Sequence, residues 1–156
     1  GRKSRASGKR FELKVREDLE NRGWIVFRNS NDVEFSDKLQ DCLKELPYGG
    51  EVPCGKFKQA KSKFNPFTKQ LMMVQSGFPD FVCVLGFGDP TNPDYDVQFV
   101  ECKAGDEAHR KLDKEERSKA QWIIKNLRIP VFRAVKGNVR GTIDYIPEVN
   151  SNGNIE

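Results

Sequence analysis

The fold turns on two stretches: Gly77-Phe78-Pro79-Asp80-Phe81-Val82-Cys83-Val84-Leu85 and, a short way on, Val97-Gln98-Phe99-Val100-Glu101-Cys102-Lys103. In the first, turn residues give way to an unbroken apolar run, Phe81 to Leu85, of the kind that forms a buried strand. Val97 to Lys103 is a second strand. Between them Gly86 to Tyr95, with Asp89-Pro90 and Asn92-Pro93, reads as a loop. So short a connection predicts an antiparallel hairpin. Side chains alternate along a strand, so Glu101 and Lys103 share one face while Cys102 points to the other. Asp80 stands where the first strand begins. In an antiparallel hairpin that end lies beside the far end of the second, so Asp80, Glu101 and Lys103 should converge.

Upstream, residues 9–22 read as a helix: Phe11, Val15 and Leu19 recur at four-residue spacing, and Gly23 is a stop signal. Trp24 to Phe27 then forms a strand ending at Arg28. From Asn31 to Ser76 the pattern breaks up, with turn signals at Tyr48-Gly49-Gly50, Pro53, Gly55 and Asn65-Pro66. Asp37 to Leu46 reads as a short helix there. Because its apolar content is thin, 31–76 is expected to be one long insertion, not a second domain. Downstream, Asp113 to Asn126 is the clearest helix: Asp113 with Glu116 forms a capping-box pattern, and Ala120, Ile123, Ile124 and Leu127 an apolar face. Strands at Pro130–Ala134 and Thr142–Ile146 follow. The polar chain after Pro147, including 151–156, should fray. The expected fold is α/β, a central mixed β-sheet flanked by helices with a long insertion after the first strand, in one domain over 1–150.

The chain has 156 residues, a length that suits one domain, and its eleven Phe, two Trp and three Tyr give it material for a core. Phe81–Leu85 is its longest apolar run, far short of the roughly 20 residues that span a bilayer. No apolar stretch follows the N-terminal basic residues, so no secretory signal is read, and no membrane is expected among the partners. Cys42, Cys54, Cys83 and Cys102 form no C-x-x-C pair, and His109 is the one histidine, so a structural zinc site is not expected. A reducing, intracellular setting fits, with a Cys42–Cys54 disulfide as the disfavoured alternative.

Charge is segregated. Arg2, Lys3, Arg5, Lys9 and Arg10 form one block, and Lys56, Lys58, Lys61, Lys63 and Lys69 another. Together they hold ten of the 27 basic residues and none of the 23 acidic ones. Basic blocks on a mildly acidic body mark a polyanion binder. Phe57, Phe64 and Phe67 interleave the second block and could stack on unpaired bases; the alternative is a solvated loop whose aromatics pack on the core. Two carboxylates make a hard oxygen site of the kind Mg²⁺ prefers, with Mn²⁺ a natural substitute. Such a cation generates hydroxide and offsets charge on a phosphoryl group, and Lys103 could position water or stabilise that charge. The plainer reading is a salt bridge at a sheet end. Taken with the charge blocks, the three residues favour a metal-dependent nuclease.

Pro79-Asp80 followed by Glu101-x-Lys103 resembles the motif of the PD-(D/E)XK nuclease superfamily, whose core is restriction-endonuclease-like. Gly8-x-x-x-Glu12, Leu19, Gly23 and Arg28 resemble the opening helix and strand of archaeal Holliday-junction resolvases, and Ile129-Pro130-Val131 with Ala134-Val135-Lys136 their last core strand. The similarity covers 8–30 and 77–136 and leaves the insertion unmatched. It implies that Asp80 and Glu101 coordinate Mg²⁺, with Glu12 completing the acidic cluster. It also implies that Lys103 activates or orients water and that Arg28, followed by Ser30, contacts the scissile phosphate or its neighbour. Without the family, Glu12 is as readily a surface acid paired with Arg16, and Arg28 a solvated strand end. Some superfamily members also place a glutamine on the later helix, which makes Gln121 an accessory candidate; His109 reads as plain surface. The function so implied is a structure-specific DNA endonuclease that resolves four-way junctions as a homodimer, reading shape through phosphates. The alternatives are a replication-repair or homing endonuclease acting on flaps or linear duplex, and a binding module without catalysis.

Overall fold

The computed structural model describes residues 2–36, 55–73, 77–105 and 111–148, with side chains from Ala6 onward except that of Met73. The expected helix at 37–46, Cys42, Cys54, His109 and the tail 151–156 lie outside the described residues. So do the side chains of Arg2, Lys3 and Arg5. The described elements are α1 (Arg2–Asn21), β1 (Ile25–Arg28), β2 (Asn31–Phe35), β3 (Gly55–Gln59), β4 (Ser62–Asn65), β5 (Gln70–Met73), β6 (Phe81–Asp89), β7 (Asn92–Lys103), α2 (Lys114–Leu127), β8 (Val131–Lys136) and β9 (Ile143–Pro147). Five strands form a mixed sheet in the order β1-β6-β7-β8-β9, antiparallel throughout except for the parallel β7–β8 pair that α2 connects. The fold is α/β, as expected.

α1 begins at Arg2 instead of Lys9, since nothing in Arg2–Gly8 breaks a helix and Gly8 is tolerated at modest cost. It stops at Gly23, whose φ of 94° lets the backbone reverse as a β-carbon would resist. The apolar stripe of α1 packs on one sheet face: Phe11, Val15 and Leu19 meet Val26, Phe81, Cys83, Val100 and Ala134. The opposite face carries Phe78, Phe99 and Val131, covered by Ala120, Trp122 and Ile123 of α2. Asp113 and Glu116 make the reciprocal capping box that opens α2: the Glu116 N–H donates to Asp113 Oδ1 at 2.8 Å and the Asp113 N–H to Glu116 Oε2 at 2.9 Å.

The β6–β7 hairpin is longer than expected. Pairing runs out to Asp89 opposite Asn92, and the reversal is confined to Pro90-Thr91, where the Thr91 N–H and hydroxyl both donate to Asp89 Oδ1. The prolines read as loop signals sit at or beside this exposed end, where a missing N–H costs little.

The described insertion is also more ordered than its sequence suggests. β2 and β3 pair antiparallel and bring Val33, Phe35 and Phe57 into the core under α2. Phe57 meets Phe99 edge-on, with ring centroids 5.7 Å apart, so of the three phenylalanines in the basic block it is the one that packs inside. Apolar content is indeed thin further on. β4 and β5 form a separate two-stranded hairpin, with Phe64, Phe67, Leu71 and Met72 exposed. The expected fraying after Pro147 does not start at Glu148, whose N–H donates to Val131 O and whose carboxylate pairs with Arg133. Among the described residues no helix is long and apolar enough to cross a membrane.

Candidate active site

The strand ends at one edge of the sheet bring the expected residues together. The Arg28 position of β1 pairs with Phe81, and Phe81 with Val100, so the end of β1, the start of β6 and the end of β7 lie side by side. Two main-chain hydrogen bonds lock the carboxylates into this edge. The Asp80 N–H donates to Glu101 Oε2 at 3.1 Å, and the Cys102 N–H donates to Asp80 Oδ2 at 2.8 Å. Lys103 Nζ lies 3.3 Å from Glu101 Oε1, so Glu101 and Lys103 do share a face, while Cys102 belongs to the α1 side.

Glu12 projects from α1 toward the same edge, with its Oε2 3.8 Å from an Arg28 guanidinium nitrogen. Its alternative partner, Arg16, is taken by Glu20 at 2.9 Å. Arg28 is well exposed. Ser30 is exposed too; its carbonyl accepts from the Ala60 N–H, which ties the insertion back to the end of β1. Gln121 is half-buried on α2, between the buried Ala120 and Trp122.

Three residues that sequence reasoning missed hold this geometry. Glu116, seen in the sequence as a helix cap alone, uses its other oxygen, Oε1, to hold Lys103 Nζ at 2.5 Å. The α2 start thus anchors the lysine; a capping glutamate beside a strand-end lysine was the available signal. Asn29 is buried at 5% exposure, and its amide donates to Pro79 O at 2.8 Å and to Asn31 O at 3.1 Å. The Asn29 N–H donates to Asp80 O at 2.8 Å. This one residue therefore clamps the Pro79–Asp80 segment, in which Phe78–Pro79 is cis, to β1. Gly77 approaches so closely that a β-carbon there would fall 2.3 Å from Asn29 O. Neither Asn29 nor Gly77 has a periodicity that marks it in the sequence.

Burial pushes the Asp80 carboxyl up from 3.8 to about 6, aided by Glu12 and opposed by the Cys102 N–H, Lys103 and Arg28. Glu101 is held well above its ordinary value by burial first and by the Asp80 charge second, against the pull of Lys103. Burial alone would lower Lys103, yet Glu101 and Glu116 outweigh it and keep the side chain an ammonium. The Cys102 thiol is pushed up by burial and by the surrounding carboxylates, which disfavours its thiolate.

Among the described residues no group of three or more His, Cys, Asp or Glu side chains is gathered as a ready metal cage. Mg²⁺ does not require one. It binds through one or two carboxylates and completes its shell with water and substrate oxygens. Asp80 and Glu101 offer hard oxygens with unused lone pairs, and a bound cation would offset the burial, and to a lesser degree the neighbouring negative charge, that raises their affinity for protons. The donor set fits a hard divalent cation. Comparisons with protein-family models, curated proteins and solved structures return no match to this chain.

Proposed function

We propose that the chain is a metal-dependent DNA endonuclease with a restriction-endonuclease-like core, of the PD-(D/E)XK class, and that it cuts branched DNA such as a four-way junction. The observation that carries this reading is the main-chain locking of Asp80 and Glu101 to one another, with an ammonium 3.3 Å from Glu101. A salt bridge at a sheet end would need one acid and one base. Here two buried acids face one ammonium, which cannot neutralise both.

Asp80 and Glu101 would hold Mg²⁺ or Mn²⁺, which supplies hydroxide near neutral pH and a counter-charge for the phosphoryl oxygens. Lys103, protonated and fixed from two sides by Glu101 and Glu116, orients the attacking water and faces charge that builds on phosphate. Arg28 reaches the phosphodiester from the exposed strand end, and Glu12 restrains it. Lys9, Arg10, Lys56, Lys61, Lys63 and Lys69 are exposed and would supply backbone contacts to the DNA. Lys58 is partly spent on Glu34, 2.8 Å away. Resolving a junction takes two symmetric cuts, which one such site per chain supplies through a two-fold homodimer.

The test is cleavage of a synthetic four-way junction and a matched duplex with Mg²⁺. Paired incisions on the junction are expected, lost in Asp80→Ala and Glu101→Ala while binding persists. Cleavage retained by purified Asp80→Ala would overturn the reading. A second reading, a repair nuclease acting on flaps, is favoured by the exposed β4–β5 hairpin with Phe67 in its turn. A flap cut faster than the junction would select it.

A further inference from the structure

α1 lies across the sheet with Phe11 and Val15 facing inward, so residues to either side of that stripe face opposite flanks. One flank gives Glu12 to the acidic edge. The other carries Ser7, Arg10 and Lys14, and these line a cavity of about 370 Å³ closed on its far side by Lys136, Arg140 and Thr142. Among the described residues four cations line this cavity and no acid does. Asp144 stands next to this lining: a β-carbon on Gly137 would lie 3.1 Å from its Oδ1.

The cavity is built, not a chance gap between mobile side chains. Tyr145 of β9 donates its hydroxyl to Asp18 at 2.7 Å and stacks under Arg22, which fixes α1 over β8 and β9. The turn from β8 to β9 is closed on itself: the Gly137 N–H donates to Thr142 O at 2.9 Å, and the Thr142 hydroxyl to Val139 O at 2.7 Å. A β-carbon at Gly137 would fall 2.1 Å from Thr142 Oγ1, so the wall admits no side chain there. Lys136, in alternation with Phe132 and Ala134, projects on the α1 face into this space.

Position gives the cavity its meaning. Val135 pairs with Lys103 in the parallel β7–β8 ladder, so Lys136 emerges one strand over from the Glu101–Lys103 pair, at the same edge of the sheet but from the α1 face, the side from which Glu12 reaches that edge. Neighbouring strands lie about 4.8 Å apart. A nucleic-acid strand whose phosphate reaches Asp80 and Glu101 can therefore continue along the edge and lay adjoining phosphates among Lys14, Lys136, Arg140 and Arg10. We infer that this cavity is a second phosphodiester site, which grips the DNA strand beside the point of cutting. The inference deepens the nuclease reading and rests on it for the choice of DNA. Of its four cations, Arg10 alone belongs to the basic blocks legible in the sequence.

The test measures anisotropy of a labelled four-way junction and a duplex with no divalent ion, from 50 to 200 mM salt. The proteins are wild type, Arg140→Gln, Lys136→Gln/Arg140→Gln and, as control, Lys125→Gln in the last turn of α2. The double variant should bind about tenfold more weakly, with a salt slope smaller by about 0.9 for each phosphate it no longer neutralises, while the control stays at wild type. Binding of both DNAs by the double variant with wild-type affinity and slope would overturn the inference. So would saturable calorimetric binding of inorganic phosphate that the double variant abolishes while its DNA affinity is unchanged, since that marks a site for a free phosphoryl group. Cleavage with Mg²⁺ separates the two readings. Weakened binding with no cleavage by wild type removes the nuclease and leaves the cavity, whereas normal binding by the double variant with Asp80-dependent cleavage does the reverse.

Discussion

Asp80 has a carboxyl pushed up from 3.8 to about 6 chiefly by burial, and Glu101 is displaced in the same direction. A raised value means that the folded chain holds the proton more tightly than the unfolded chain does. The associated stability is complete below about pH 4 and is lost as the pH rises through about 6, by ~3 kcal/mol for Asp80 alone at 1.36 kcal/mol per pH unit. In EDTA, the melting temperature should accordingly fall between pH 4 and pH 7 more than in Asp80→Asn. Mg²⁺ should recover it at pH 7.5 and do little at pH 5, because a ligand stabilises only the state that binds it. A metal-free melting temperature that rises over that window, by calorimetry, would contradict the assignment. Asn29 gives a second prediction at this scale. Asn29→Ala leaves the buried Pro79 carbonyl without the amide at 2.8 Å and should cost about 1–3 kcal/mol in urea unfolding. It should lower kcat more than it raises KM, because it loosens Asp80 without touching the basic surface. Equal effects of Asn29→Ala on KM and kcat would point to a binding role instead.

At the scale of elements, the parts legible in the sequence were those that carry their own period or cap. The stripe of α1, the apolar run of β6 and the capping box of α2 state their structure locally, and the alternation of Glu101, Cys102 and Lys103 placed two charged groups on one face. The insertion hid its strands because their order comes from elsewhere. Val33 and Phe57 are isolated apolar residues in polar surroundings, and only α2 above them makes them core. Side chains with two uses were likewise half-legible, Glu116 above all. The β4–β5 hairpin is the opposite case, having order without burial. Phe67 is 96% exposed, so Phe67→Ala should leave the melting temperature unchanged. If its ring stacks on an unpaired base, the same substitution should weaken binding to a branched substrate by about 1–3 kcal/mol and leave intact duplex unaffected. A loss of equal size on both DNAs, measured by anisotropy, would mean that the hairpin contacts backbone only.

Over the whole molecule, the sheet is covered by α1 on one face and by α2 with the β2–β3 pair on the other, so the β2–β3 part of the insertion belongs to the second core. One buried ion pair joins it to the helix. Lys119, 8% exposed, lies 2.9 Å from Asp32 Oδ2 and 2.8 Å from Glu115, and Asp32 Oδ1 also accepts the Val33 N–H at 2.8 Å. Burial would lower the Lys119 ammonium, but Glu115 and Asp32 more than offset it, so the lysine remains charged. Desolvating such a pair uses up most of its attraction, yet removing one partner strands the other charge in the interior. Lys119→Met should therefore destabilise the protein by about 3–5 kcal/mol in urea, a large share of the 5–15 kcal/mol typical of a domain. Asp32→Asn/Lys119→Met, which removes both charges, should recover most of that loss. Because β2–β3 shares its core with α2, both variants should unfold in a single transition when followed by tryptophan fluorescence and by far-ultraviolet dichroism. A separate early transition in Lys119→Met, with the remainder unfolding at the wild-type midpoint, would show that the insertion is only appended to the sheet, and that Asp32 and Lys119 fasten it without helping to hold the fold together.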